Sequence, residues 1–331
     1  MLKFDEQKQL NSVNGALAIR GKIEAIVDGI CQRGYSNICL LGIGGTYASC
    51  LQTEVHMKER SSISFFVENA AEYICTGNKK IGDGTVVIIS SVTGKTTEMV
   101  EALDMAKAAG AKIIGFVDYP DTKLAEMADY LISYPMNEQL KFFMAADRFM
   151  YNAGEFDEYD ELYSELDQHL ANALVEVEKT ADQLGERIAL KHKDDRIHYF
   201  VGAGNQYGAT YSYAMCFWEE QHWIRTKSIH SAEFFHGMFE IVDRDTAVTV
   251  FVGEDSQRKL SERVARFLPR ICANYNIIDT KDYELKGISQ KFRGHISHLV
   301  MRAITSRIDA HIEKLNCHPM EIRRYYRQLD Y

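Results

Sequence analysis

Leu40-Leu-Gly-Ile-Gly-Gly-Thr-Tyr47 and Phe200-Val-Gly-Ala-Gly-Asn-Gln-Tyr207 are two versions of one pattern: an apolar run, a glycine-rich turn and the start of a helix. Glycine after a strand lets the backbone turn sharply, and the following helix aims unpaired amides at whatever lies in front of it. Two copies in one chain predict a duplicated unit. Outward from them, short apolar runs alternate with longer amphipathic stretches from residue 37 onward, the pattern of βα units around a parallel sheet. Strands are predicted at 37–41, 64–67, 85–90, 112–117 and 130–133, then at 197–201, 247–252 and 275–278. Helices are predicted at 96–109, 206–223, 257–267 and 295–314. A long connecting helix is expected near 159–191, where Leu162, Leu166, Leu170, Leu174 and Val177 share one face. The expected organisation is a first α/β lobe over 1–155, a connector over 156–192, a second lobe over 193–317 with fewer strong strands, and a tail over 318–331.

Composition agrees with this reading. The chain has 331 residues, enough for two cores, with 46% hydrophobic and 26% charged residues as in ordinary globular proteins. Only four prolines occur, and no Gly/Ser linker divides the chain. A net charge of -9 argues against nucleic-acid binding, so any attraction for an anionic ligand must be local. The seven cysteines (31, 39, 50, 75, 216, 272, 317) lack C-x-x-C spacing and read as reduced, buried small hydrophobes. The opening Met-Leu-Lys-Phe-Asp-Glu lacks the apolar run of a signal peptide, and no stretch has the length of a membrane span. A cytoplasmic protein without membrane contact is expected.

The first glycine turn invites a dinucleotide-binding reading with Glu68 as the ribose acid, but Tyr47 and Ala48 stand where the third small residue belongs. Gly94-Lys95-Thr96 resembles the end of a P-loop, yet the glycine required five residues before Gly94 is Ile89. What remains is a cluster of hydroxyls, Ser90, Ser91, Thr93, Thr96 and Thr97, with Thr46 in the other turn. Their commonest use at such a place is to cap the helix, and one cap needs one hydroxyl. Five in eight residues favour a terminal phosphate of the kind a sugar phosphate carries.

The second chemical feature is Phe217-Trp-Glu-Glu-Gln-His-Trp-Ile-Arg-Thr-Lys-Ser-Ile-His-Ser-Ala-Glu-Phe-Phe-His-Gly237. A helix ending in Glu219 and Glu220 runs into a short Ser/His-rich turn and His236, so one stretch supplies a carboxylate base and an imidazole that titrates near neutrality. Two readings stand for each group. Glu220 is a base or a solvated helix-end carboxylate; His236 is an acid or a turn-holding histidine. Glu219 reads as the solvated or structural neighbour, and His222 and His230 as structural. Glu233 either contacts a ligand or holds its loop. The serines lack a nucleophile elbow. His295, His298 and His311 share a helical stretch without acidic or thiol partners at matching positions, so no metal is expected there.

These residues resemble the sugar isomerase (SIS) domain proteins, which carry two flavodoxin-like lobes in tandem and act on phosphosugars. In the isomerase half of glucosamine-6-phosphate synthase a catalytic glutamate precedes a His-Gly pair by sixteen residues, the spacing of Glu220 and His236-Gly237 here. The stretch Ile229-His-Ser-Ala-Glu-Phe-Phe-His-Gly-Met-Phe-Glu-Ile241, with His318-Pro319, Arg323-Arg324-Tyr325 and Tyr331, is similar to the motifs of the fructosamine 6-phosphate deglycases. The resemblance implies Thr46, Ser91, Thr93 and Thr96 on the phosphate and Gly45 beside the substrate. It implies Glu220 and His236 in catalysis, Glu233 near them, and Arg323, Arg324 and Tyr331 in a tail over the sugar. Val92, Lys95, Ala232 and Met238 depart from the usual residues, which bears on substrate preference. The implied reaction cleaves the fructosamine 6-phosphate of an amino acid to glucose 6-phosphate and the free amino acid, without metal or organic cofactor. The alternatives are an aldose-ketose or aminosugar-phosphate isomerase or deaminase, and a phosphosugar-sensing binding module. Relatives build their site from two subunits, so a homodimer or larger homo-oligomer is expected.

Overall fold

The structure, a computed structural model, describes residues 1–326, 328 and 329. The chain forms two compact units, one of residues 7–171 and one of residues 1–6 with 172–331.

In the first unit, β1 (Asn37–Gly42), β2 (Phe65–Asn69), β3 (Thr85–Ser91), β4 (Lys112–Val117) and β5 (Tyr130–Ile132) form a parallel sheet in the order β2-β1-β3-β4-β5. On one face Cys39, Leu41, Val87, Ile89, Ile113 and Val117 pack with the helix residues Met99, Leu103 and Leu124. The alternate residues Ile38, Leu40, Val86, Ile88, Ile114 and Phe116 are buried as well. A sheet covered on both faces needs apolar side chains at every position, which is why these strands read as unbroken apolar runs.

The second unit repeats the plan with β6 (His198–Gly202), β7 (Thr226–His230), β8 (Ala247–Val252) and β9 (Tyr275–Asp279), parallel and ordered β7-β6-β8-β9. The order is that of the first sheet without its last strand. Val201, Val248, Val250 and Val252 cover Val264 and Leu268 of the neighbouring helical segment.

The two glycine turns are the same device used twice. A Cβ on Gly42 would lie 2.9 Å from the Tyr47 backbone nitrogen, and one on Gly202 2.8 Å from the Gln206 carbonyl oxygen. Only glycine lets the helix start so close to the strand end. Gly44 and Gly204 then precede their helices with φ of +60° and +63°.

Three expectations need correction. The Ser/His-rich turn is the strand β7, an edge strand bonded to β6 on one side only. An edge needs no apolar run, and the polar Thr226-Lys-Ser sequence hid it. The helix expected over 206–223 is an α-helix at Asn205–Ser212 continued by a wide π turn at Tyr213–Glu219. Among the cysteines, Cys39, Cys50 and Cys272 are buried, whereas Cys75 and Cys317 are exposed, contrary to expectation. Cys75 lies in the short helix Ala70–Thr76, and Cys317 follows the end of a helix with φ of +50°.

The stretch expected to connect the lobes is helical at Tyr159–Glu165, Leu166–Leu170 and Ala171–His192, with all five of its predicted apolar positions buried. The division between the units falls inside it, after Ala171. Among the described residues no helix is long and apolar enough to cross a membrane.

Where this helix ends, Asp195 Oδ2 accepts from His192 Nδ1 and His198 Nδ1, both at 2.8 Å. His192 Nε2 accepts from Asn276 Nδ2, and His198 Nε2 accepts from the Thr249 hydroxyl, each at 2.8 Å. The three ligand atoms are close enough to hold a metal ion. Every ring nitrogen already has a protein partner, however, so the set serves as a buried clamp between the helix and the sheet. Burial pushes His198 down to about 4, and burial raises Asp195 less than the hydrogen bonds of the two histidines lower it. The unfolded chain takes up a proton at His198 as pH falls from about 6.5, while the folded chain resists until about 4. The contribution of this clamp is therefore complete above pH 6.5 and lost between 6.5 and 4. Urea melts should show a loss of a few kcal/mol between pH 7.5 and 4.5, and His198→Gln should flatten that slope at a lower plateau.

Candidate active site

The position of Glu220 is set by the residue two before it. Trp218 is fully buried, its ring centroid 4.5 Å from His198 and 4.9 Å from Phe200, with Tyr213 5.2 Å from Phe200. These contacts fasten the helix end to β6. The wide turn closes through Glu220 N to Met215 O at 3.0 Å and His222 N to Phe217 O at 2.9 Å. Such five-residue turns recur at functional sites because they shift side chains out of the ordinary helical register.

Glu219 accepts from the Thr226 amide at 3.1 Å and its hydroxyl at 2.9 Å, tying the helix end to the start of β7. It is the structural member of the pair. Glu220 is one-third exposed, at 34%, and its Oε1 accepts from Arg323 Nε at 2.7 Å. Its other oxygen accepts no hydrogen bond among the described residues. Arg323 is itself held by donating to the Met320 carbonyl. His222 is buried with Nε2 3.3 Å from Asp309 Oδ1, and His230 Nδ1 accepts from the Ala232 amide at 3.1 Å, so both have structural duties.

Glu220 opens onto a cavity of about 570 Å³ walled also by Trp223, Arg225, Arg323, Arg324 and Tyr325. Trp223 has φ of +60°, a conformation that costs a bulky side chain roughly 1–3 kcal/mol and persists only where the surroundings enforce it. Its ring packs against His318 in a tilted arrangement, centroids 4.0 Å apart, and the Arg324 guanidinium lies 4.1 Å over it. Tail residues thus complete the cavity; Tyr331 lies outside the described residues. His236 is exposed at the end of the short turn Phe234–His236, its amide donating to Glu233 O at 3.0 Å. Its ring has no partner among the described residues, and it is not in the wall of the Glu220 cavity. The exposed Glu233 likewise has no carboxylate partner among them.

The hydroxyl turn belongs to the first unit. Ser91 closes β3, and its Oγ accepts from the Gly94 amide at 3.0 Å, leaving its proton to donate. Gly94 has φ of +63°, and a Cβ there would fall 2.1 Å from the Thr122 hydroxyl. Thr96 occupies the cap position of the helix Thr97–Ala108 but makes no side-chain cap bond. The helix amides are therefore not satisfied by it, and capping does not account for Thr96. Thr46, beside Gly45 in the first turn of Gly45–Arg60, donates to Glu138 Oε2 at 2.9 Å. An anion at Thr46 has to displace that carboxylate. Thr93 is half-buried between Ser91 and Thr96.

Trp223 and Arg225 were not singled out by the sequence. A left-handed tryptophan has no sequence signal, and an arginine between a helix and an edge strand reads as ordinary surface. Removing the Trp218 ring should release the whole arrangement: Trp218→Ala should lower stability in denaturant melts by roughly 3–5 kcal/mol, whereas Trp223→Ala, on a half-exposed and strained residue, should cost far less.

Residues 33–147 match the SIS domain family. Over almost its full length the chain is similar to fructosamine deglycase FrlB of Bacillus subtilis (strain 168), 26% identical across 95% of this chain and 98% of that protein. It is 24% identical to fructoselysine 6-phosphate deglycase of Escherichia coli (strain K12), across 92% of this chain and 89% of that protein. A solved Bacillus subtilis structure provisionally named a phosphosugar isomerase shares the fold with a TM-score of 0.89 at 24% identity, covering 96% of this chain and 99% of that one.

Proposed function

We propose that this chain, an SIS-domain protein over residues 33–147, cleaves the fructosamine 6-phosphate of an amino acid to glucose 6-phosphate and the free amino acid. One observation carries the reading: Glu220 stands on an open cavity with one oxygen held by Arg323 and the other uncommitted among the described residues. A general base needs that combination of fixed direction and a free lone pair. Relatives named as deglycases of fructosamines, similar from end to end, support it.

In the open-chain substrate, C1 carries the amine and lies next to the C2 carbonyl, so its proton is acidic. Glu220 takes that proton, and the electrons form the C1–C2 double bond as O2 gains a proton, giving the enaminol. Return of a proton to C2 leaves an imine at C1. Water adds to C1, the C1–N bond breaks with the proton going to nitrogen, and the aldose phosphate and amine part. His236 serves the proton movements on C2, oxygen and nitrogen. The phosphate is bound by the hydroxyls of Thr46, Ser91, Thr93 and Thr96 with the amides that open the helix Thr97–Ala108, a setting that favours an anion despite the net charge.

The ring of His236 is exposed, unpartnered among the described residues and absent from the Glu220 cavity of its own chain. This supports a homodimer in which each copy lends His236 to the other's site. Glu220→Gln and His236→Ala should each lower kcat by roughly 10²–10⁴ in an assay of glucose 6-phosphate release from fructosamine 6-phosphates. Mixing the two inactive variants should restore activity that neither has alone. Failure of any fructosamine 6-phosphate to react, or full activity of Glu220→Gln, would remove the proposal. Ser91→Ala with Thr96→Val should raise KM about tenfold or more with a smaller effect on kcat.

A further inference from the structure

The Glu220 cavity holds more positive charge than the base requires. Among the described residues, only Arg323 of its three arginines has a carboxylate partner, Glu220. Arg225 and Arg324 have no carboxylate partner among the described residues, although the chain as a whole carries a net charge of -9. Glu219, the other acid in the wall, is turned to Thr226. Arg324 is also oriented: its guanidinium lies 4.1 Å over the Trp223 ring, which is fixed from its other neighbour by His318 at 4.0 Å. Stacking on an aromatic face sets the plane of the guanidinium and leaves its N–H edge available for a planar, bidentate acceptor. A left-handed backbone is maintained at Trp223 to keep that ring in the wall.

We infer that this cavity is the subsite for the leaving amine and recognises it by its carboxylate, with Arg324 on Trp223 as the principal contact and Arg225 as the second. The inference rests on the proposed function, since a base acting at C1 brings the nitrogen on C1, and whatever that nitrogen carries, against the walls Glu220 shares. A carboxylate supplies the two in-plane oxygens that a stacked guanidinium matches. An uncharged alkyl substituent would leave both cations unanswered.

The test compares two substrates of the intact protein, the fructosamine 6-phosphates of alanine and of ethylamine, which differ only by the carboxylate. The expected result is a kcat/KM about tenfold or more higher for the alanine compound, most of it in KM, and a ratio that falls toward one in the Arg225→Gln/Arg324→Gln variant. Equal turnover of the two compounds by the unmodified protein overturns the subsite while leaving the deglycase reading intact. So does an undiminished ratio in the variant. Turnover of neither compound overturns the subsite, and failure of the wider set of fructosamine 6-phosphates removes the deglycase reading with it. The unmodified protein alone decides the first comparison, so a variant that fails to fold does not spare the inference.

Discussion

The burial of Trp218 against the aromatic face of β6 is the constraint on which the second unit's chemistry depends. The indole fills the space between His198, Phe200 and Tyr213, and the last turn of its helix widens to let it in. The two glutamates that follow are thereby assigned different tasks by position alone. Glu219 is close enough to β7 to hold the strand, and Glu220, one residue on, emerges at the cavity. The stability of a buried ring is in this way turned into the direction of an exposed carboxylate, which is how a rigid scaffold gives precision to a half-exposed group.

The same economy appears in the backbone of the two glycine turns. Gly42 and Gly202 remove a Cβ where a helix crosses the strand end, and Gly44 and Gly204 take the left-handed step that starts the helix. Closely similar turns in units that share the order of four strands point to one plan used twice. The uses have diverged. In the first unit the functional density is at the β3 turn with its hydroxyls; in the second, Asn205 and Gln206 after the turn are buried and bonded to Gly294 and Ser297.

Much of the fold was legible because the sheets are buried on both faces, which writes β1, β3, β4 and β8 into the sequence as largely apolar runs. The glycine turns were legible for the same steric reason. The strand β7 was not, since an edge strand with Thr, Lys, Ser and His satisfies its backbone without an apolar signature. Glu220, Arg323 and Arg324 were legible through motif spacing, and they do share a cavity. Trp223 and Arg225 were not, because their role depends on a left-handed backbone and on a tail that returns from a distant part of the sequence. The hydroxyl turn was read by counting, and its geometry adds what counting could not: Thr96 stands at the cap position without capping.

The contrast between the two tryptophans carries a practical consequence. One indole is sealed from solvent, and the other, at 36% exposure, forms a wall of the cavity under an arginine. The protein therefore contains its own optical probe. Emission from the sealed ring is a constant, blue-shifted background, and quenching or a spectral shift arises from the ring in the wall, so occupancy of the cavity can be followed by intrinsic fluorescence with no label attached.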